Sequence, residues 1–212
     1  MDDVTLIRRC QQGDVDAFES LFQQYSTKAL RTAYLLTGRQ HIAEDITQES
    51  FIQCYREIKR LRHPEAFQAW FYRILVRISW RVLSKEKGRL SLETLNDSDH
   101  EFLISDASVS EAVETKQMQD VLHQALNKLS APLRTAIILH YFNEFSIKEI
   151  SEVLGCRAGT VKSRLHNARK RLADEIKQGE LGFTFEEEPC FDEEVMEKQR
   201  KECETSAKTS TV

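Results

Sequence analysis

Six cations fall between Arg157 and Arg171, in the stretch RAGTVKSRLHNARKR. Placed on a helix at about 100° per residue, Val161, Leu165, Ala168, Leu172 and Ile176 form one apolar stripe with spacings of 4, 3, 4 and 4. Ser163, His166, Asn167 and Lys170 then point directly away from it, flanked by Lys162 and Arg169 on one side and by Thr160, Arg164 and Arg171 on the other. Arg and Lys pair with guanine edges or phosphates, Asn with adenine, and Ser or Thr with either. Arg157 and Thr160 stand at the helix start, where free amide groups also favour a phosphate. A solvated basic face explains most charged helical surfaces. Here the preceding segment favours a groove-reading helix instead. Ser146-Ile147-Lys148-Glu149 fits a capping box that opens a short helix with Ile147, Ile150, Val153 and Leu154 inward, and Gly155-Cys156-Arg157 makes a tight turn. Short helix, glycine turn and second amphipathic helix form a helix-turn-helix pattern.

Two further groups have chemistry to offer. Arg73, Arg77, Arg81 and Lys85 recur every four residues, a basic ridge interleaved with Phe67, Trp70, Phe71, Tyr72 and Trp80. Cations can follow a phosphate backbone, and rings can stack unpaired bases. A core made of Phe71, Ile74, Leu75 and Ile78, with arginines that merely solubilise, fits the same pattern. Upstream, Glu44, Asp45, Gln48, Glu49 and Ile52 share one helix face, opposite Ala43, Ile46 and Cys54. That acidic face suits a basic protein partner, or simple solvation. No Ser/His/Asp grouping, Gly-rich phosphate loop or HExxH stands in the chain, so no catalytic role is expected. The five cysteines (Cys10, Cys54, Cys156, Cys190, Cys203) are scattered without metal-ligand spacing; neither a metal nor any other cofactor is expected.

The elements that must position these residues read as helices throughout. Only 7 Gly and 3 Pro occur in 212 residues, too few for a turn-rich β fold. From Asp16 to Thr37 apolar residues recur at helical spacing, with Gly38 as the stop; a second helix is expected from about His41 to Arg60 and a third from Pro64 to about Lys87. Helical pattern resumes near Val113, restarts at Ser130-Ala131-Pro132 with Ile137, Ile138, Tyr141 and Phe142, and ends near Gln178. The fold class expected is all-α: two small helical domains, 1–88 and 113–178, joined by a flexible acidic linker, 89–112, and followed by an acidic disordered tail, 179–212. Charge alternates along the same boundaries. Residues 1–90 carry a net +4, 91–120 a net −7, 121–178 a net +5 and 179–212 a net −6, within an overall −4. The whole-chain average conceals two basic blocks, and a phosphate backbone feels local charge. No run reaches the roughly 18 apolar residues of a spanning helix, and the acidic Met1-Asp2-Asp3 start is no secretory leader; membrane insertion is not expected and a cytoplasmic location is.

The chain resembles the extracytoplasmic-function (group four) sigma factors of bacterial RNA polymerase. The likeness is carried by DAFESLFQQYSTKALRTAYLLTG, AEDITQESF and FQAWFYRIL for the family's region two, and by ALNKLSAPLRTAIILHYFNEFSIKEISEVLGCRAGTVKSRLHNARKRL for region four. The resemblance implies a dissociable specificity subunit that binds core polymerase, directs it to promoters and promotes melting, with no catalytic residues of its own. It assigns Glu44, Asp45, Gln48, Glu49 and Ile52 to the clamp helices of the largest polymerase subunit. The loop around Arg60–Glu65, with Arg62 and His63, and the following helix, with Phe67, Trp70, Arg73, Arg77, Trp80 and Arg81, correspond to the part that recognises and melts the minus-10 element. Arg157, Thr160, Lys162, Ser163, His166, Asn167, Arg169 and Lys170 correspond to the minus-35 reader, while region four also meets the polymerase flap. Its further implied partner is an anti-sigma factor, through which the protein can be held at the membrane.

Three positions depart from the family pattern. Arg77 stands where Asn is usual, Arg81 where Asp is customary, and Asn167 where Arg is frequent. The first two add positive charge to the melting helix; the third exchanges a phosphate clamp for an adenine reader. Two other functions compete. A free-standing helix-turn-helix regulator of the LuxR kind would need no core polymerase, and AEDITQESF argues against it. A sigma-like decoy would occupy polymerase without promoter recognition, and the intact set from Arg157 to Lys170 argues against that.

Overall fold

The computed structural model describes residues 3–89 and 122–178, and side chains over 3–85 and 122–175. The linker and tail expected from composition lie outside them, as do Cys190 and Cys203. All described residues fall within one compact unit, and among them only helices and turns occur. In chain order these are α1 (Asp3–Gln11), α2 (Val15–Thr37), α3 (Gln40–Glu57) and α4 (Phe67–Arg89), then α5 over residues 122–128, α6 (Ala131–Ile137), α7 (Ile147–Leu154) and α8 (Ala158–Gln178).

Local chemistry sets most of these limits. Asp14 caps α2 by accepting from the amide of Ala17 at 3.0 Å, and its carboxyl is held below its ordinary range by that bond and by Arg9. Gly38 ends α2 at φ 74°. A side chain there would be strained in the left-handed region, and its Cβ would lie 2.9 Å from the Asn127 side chain. The expected second helix runs as α3 and then tightens into a 3-10 turn, Ile58–Arg60; Pro64–Ala66 is another such turn leading into α4. Helix α1 was not expected. It is short, with only Leu6, Ile7 and Cys10 buried, so it shows too few periods to stand out in a sequence.

Helices α1 to α4 pack around Leu21, Ile46, Phe67, Phe71, Ile74 and Ile78. Helices α6 to α8 pack around Leu139, Ile150, Val161 and Leu165. After α6 the backbone widens into a π-helical turn, Ile138–Phe142, where Asn143 donates to the carbonyl of Ile138 at 3.1 Å. Such widenings recur at functional positions. This one keeps Leu139 and Asn143 buried and leaves Tyr141 and Phe142 exposed.

The two helical modules touch directly, a packing that the pattern of apolar residues had not disclosed. Helix α7 lies on α4, and the π turn lies on α2. Phe145 meets Tyr72 edge-on at 5.1 Å. Asn143 donates from Nδ2 to Thr32 Oγ1 at 3.0 Å, and the Thr32 hydroxyl donates to the Lys28 carbonyl at 2.7 Å. Trp80 Nε1 donates to Thr135 Oγ1 at 3.0 Å. Arg134 reaches from α6 to the Leu36 carbonyl at 2.8 Å and the Asn127 carbonyl at 2.6 Å, where helix ends leave carbonyls without intrahelical partners.

Candidate nucleic-acid interface

The helix-turn-helix is assembled as its sequence requires. Ser146 Oγ accepts from the Glu149 amide at 3.3 Å while Glu149 Oε2 accepts from the Ser146 amide at 2.8 Å, a reciprocal capping box. Gly155 ends α7 at φ 60°. Val161, Leu165 and Ala168 are buried against α6 and α7, so the opposite face of α8 turns outward. Arg157, Thr160, Lys162, Ser163, His166, Asn167 and Lys170 are exposed on it, and Arg169 is half-buried. Arg164, half-buried, donates toward Cys156 Sγ at 3.6 Å, which steadies the turn. The result is a cationic, hydrogen-bonding surface on a rigid helix, without deep burial of any charge.

The set expected on α4 and the loop before it divides. Arg62 and His63 are exposed, and His63 Nδ1 lies 3.1 Å from Glu65 Oε1. That partner, a backbone bond and Arg8 together hold the Glu65 carboxyl below its ordinary range, the backbone bond being the largest cause. Arg77 and Arg81 are exposed, and Arg81 pairs with Glu49 at 2.5 Å, linking the basic ridge to the acidic face of α3. Trp70 is half-buried, 6.0 Å from Phe67. Arg73 donates to the Glu152 carbonyl on α7, and Trp80 is held by Thr135, so both are engaged in the contact between modules. Phe67 is a correction: it is 1% exposed and offers no stacking surface. The reason is register, since Phe67, Phe71, Ile74 and Ile78 form the core stripe of α4, with spacings of 4, 3 and 4. Phe71 and Tyr72 are buried with it.

On α3, Glu44, Asp45, Gln48, Glu49 and Ile52 are all exposed along one face. Sequence reasoning had missed what adjoins it. Tyr55, three residues beyond Ile52 on α3, is exposed, as are Phe22 and Val15 on α2. Phe18 meets Tyr55 at 4.9 Å and Phe22 meets Phe51 at 4.8 Å, both edge-on. The signal was available in α2, where Phe18, Leu21, Phe22 and Tyr25 make a stripe wider than one packing face can bury. Acids beside exposed rings suit a protein partner better than a nucleic acid.

Cysteines 10 and 54 are buried and Cys156 is half-buried, all as free thiols; burial pushes the Cys54 thiol up to about 12, well away from a reactive thiolate. Among the described residues no grouping of His, Cys, Asp and Glu could hold a metal ion.

Comparison with known proteins matches the description "Sigma-70 region 2" to residues 21–89 and "Sigma-70, region 4" to residues 119–172. The ECF RNA polymerase sigma factor SigW of Bacillus subtilis is 32% identical over 177 residues, covering 81% of this chain and 95% of the relative. The ECF RNA polymerase sigma-E factor of Haemophilus influenzae is 31% identical over 183 residues, covering 84% and 96%. Two solved structures share the fold. CnrH in complex with the cytosolic domain of CnrY has a TM-score of 0.61 at 19% identity, covering 83% of this chain and 97% of that one. The sigma factor RpoE in complex with the anti-sigma factor NepR, from Bartonella quintana, also has a TM-score of 0.61, at 24% identity, covering 76% and 96%.

Proposed function

The chain belongs to the sigma-70 family, as an extracytoplasmic-function sigma factor that directs RNA polymerase to promoters, and from that premise we propose how its surfaces divide the task. The exposed face of α8 reads the minus-35 element, with Lys162, Ser163 and His166 at base edges, Asn167 suited to adenine, and Arg157, Thr160, Arg169 and Lys170 available to phosphates. Arg62 and His63 on the loop, with Trp70, Arg73, Arg77, Trp80 and Arg81 on α4, capture the minus-10 element as its bases leave the stack, an unstacking that costs a few kcal/mol. Glu44, Asp45, Gln48, Glu49 and Ile52 engage the clamp helices of the largest polymerase subunit, and the apolar patch of Phe22 and Tyr55 extends that contact. Region four meets the flap. Residues 1–88 and 113–178 act as the two modules, with 89–112 as the connection between them. Nucleotide addition belongs to the core enzyme.

The observation that carries this reading is the outward face of α8, seven exposed groove-competent side chains behind a capped α7. An anti-sigma factor that covers such faces is the regulator proposed, supported by the solved RpoE structure described as bound to one. No helix among the described residues is long and apolar enough to cross a membrane, which fits a cytoplasmic place with any membrane tether supplied by the regulator. Run-off transcription with core polymerase and a promoter-sized random DNA library tests the whole. Defined start sites preceded by a shared two-part motif are expected. Core binding without defined starts would leave a decoy, and duplex binding without core binding would leave a free-standing regulator.

A further inference from the structure

We infer that Gln11, on the helix α1, is a positioning residue for the loop that reads the minus-10 element; the inference rests on the assignment of that loop proposed above. The Gln11 amide nitrogen donates to the Ile58 carbonyl at 3.1 Å and to the Leu61 carbonyl at 2.6 Å. Both hydrogens of one side-chain amide are thereby spent on the two carbonyls that bracket the 3-10 turn Ile58–Arg60, while the Leu61 amide closes the turn by donating to Ile58 at 3.1 Å. The residue that follows Leu61 is Arg62, and the next is His63, both exposed. Where the backbone carrying those side chains leaves the turn is set by where the Leu61 peptide is held, with His63 steadied further by Glu65.

Gln11 can hold it because α1 itself is fixed. Leu6, Ile7 and Cys10 are buried. Asp3 accepts from Tyr25 Oη and from Gln24 Nε2, each at 2.9 Å, and Arg9 pairs with the α2 cap Asp14 at 2.7 Å. Helix α1 touches both short turns that flank the loop. The Ile58 carbonyl also accepts from the Leu61 amide, whereas the Leu61 carbonyl lies past the end of the turn, where water could satisfy it in any orientation. A half-buried side-chain donor satisfies it in one orientation only. Binding groups have to be held within about 0.5 Å of their productive geometry, so this bond acts on discrimination rather than on bulk affinity.

The chemistry required at position 11 is donation toward two oxygens, and that makes the test specific. Full-length protein with core polymerase is run on the promoter found by run-off transcription, randomised at minus-10 and, in a second library, at minus-35. Gln11→Glu sets a carboxylate against two carbonyls and should lower the best-to-second-best base ratio at minus-10 about tenfold, and Gln11→Ala about threefold. Gln11→Lys restores donors and should stay within about twofold of the wild type. Minus-35 ratios and core affinity should not change. A wild-type ratio in Gln11→Glu, a Lys variant as impaired as the Glu variant, or equal losses at both elements would overturn the inference, the last by reducing Gln11 to a fold contact. A wild type with no base preference at minus-10 would instead overturn the assignment of the loop, and this inference with it.

Discussion

Phe67 and Arg77 sit ten residues apart on one helix and show how far single residues can be read. Both were candidates for the melting surface, and the structure buries the first and exposes the second. Phe67→Ala should therefore cost about 3–5 kcal/mol, measured as a lowered unfolding midpoint in denaturant. Arg77→Ala should change stability by less than about 0.5 kcal/mol and yet weaken binding of a single-stranded minus-10 oligonucleotide by the polymerase complex; the opposite pattern would return Phe67 to the DNA surface. The arginines were legible by their four-residue spacing. The rings were not, because an aromatic beside a basic ridge serves a core and a stacking platform alike until its neighbours are placed. Tyr72 carries a pH consequence of the same burial. Its phenol is pushed up to about 12 by desolvation, against an ordinary 10, while Thr32 and Asn143 pull the other way. Below pH 10 the Tyr72 phenol holds its proton in the folded and unfolded chains alike, and its own contribution to stability is fully present. As pH rises from 10 toward 12 the unfolded chain ionises first, so stability should fall by up to about 1.4 kcal/mol per pH unit, followed as the unfolding midpoint against pH. Replacing Tyr72 by Phe should make the alkaline decline shallower without abolishing it, since burial also raises Tyr25 and Cys54.

At the scale of elements, capped and punctuated helices were the readable part. Gly38, Ser146 and Gly155 each mark a helix limit that the backbone keeps, whereas the Asp14 cap of α2 was not read, that helix being expected from Asp16. Tightened and widened turns were not readable: the 3-10 turn after α3 and the π turn after α6 follow from what packs against them, not from any residue type in IKR or ILHYF. The capping box matters most for the proposed function, since it orients α7 beneath α8, the helix proposed to read the minus-35 element. Ser146→Ala removes the acceptor for the Glu149 amide and leaves the Glu149 carboxylate with the Ser146 backbone alone. A loss of about 1 kcal/mol is expected, seen as a lower thermal midpoint, together with weaker minus-35 binding because α8 loses the support on which it rests. Ser146→Asp keeps a capping acceptor and should retain most of both. Should the Ala variant bind and unfold as the wild type does, the box is ornamental and α7 is held by Ile150 and Val153 alone.

For the molecule as a whole, charge alternation disclosed two modules and was silent on their contact. Its bonds join residues far apart in the chain: Trp80 to Thr135, Thr32 to Asn143, Arg134 to the Leu36 carbonyl. None has a periodic signature, since a polar side chain at an interface looks in sequence like a polar side chain on a surface. The contact has a functional reading, because Arg73 and Trp80 cannot hold Glu152 and Thr135 and a DNA strand at once. Asn143→Asp tests it. Asn143 is 2% exposed beside Thr32 and Tyr72, and an unpaired carboxylate there would cost several kcal/mol if it stayed buried. Each module has apolar packing of its own, so the cheaper response is to part the modules rather than melt them. Spin labels at His41 and Arg171, both exposed, should report one narrow distance in the wild type and a broad, longer distribution in the variant, with helical content kept. The freed α4 ridge should then bind a single-stranded oligonucleotide about tenfold more tightly, equal to about 1.4 kcal/mol. Loss of helicity along with the contact would mean that the modules fold only together. A narrow, unchanged distance would mean that the contact between α4 and α7 survives the charge, and that access of DNA to Arg73 and Trp80 has to come from another movement.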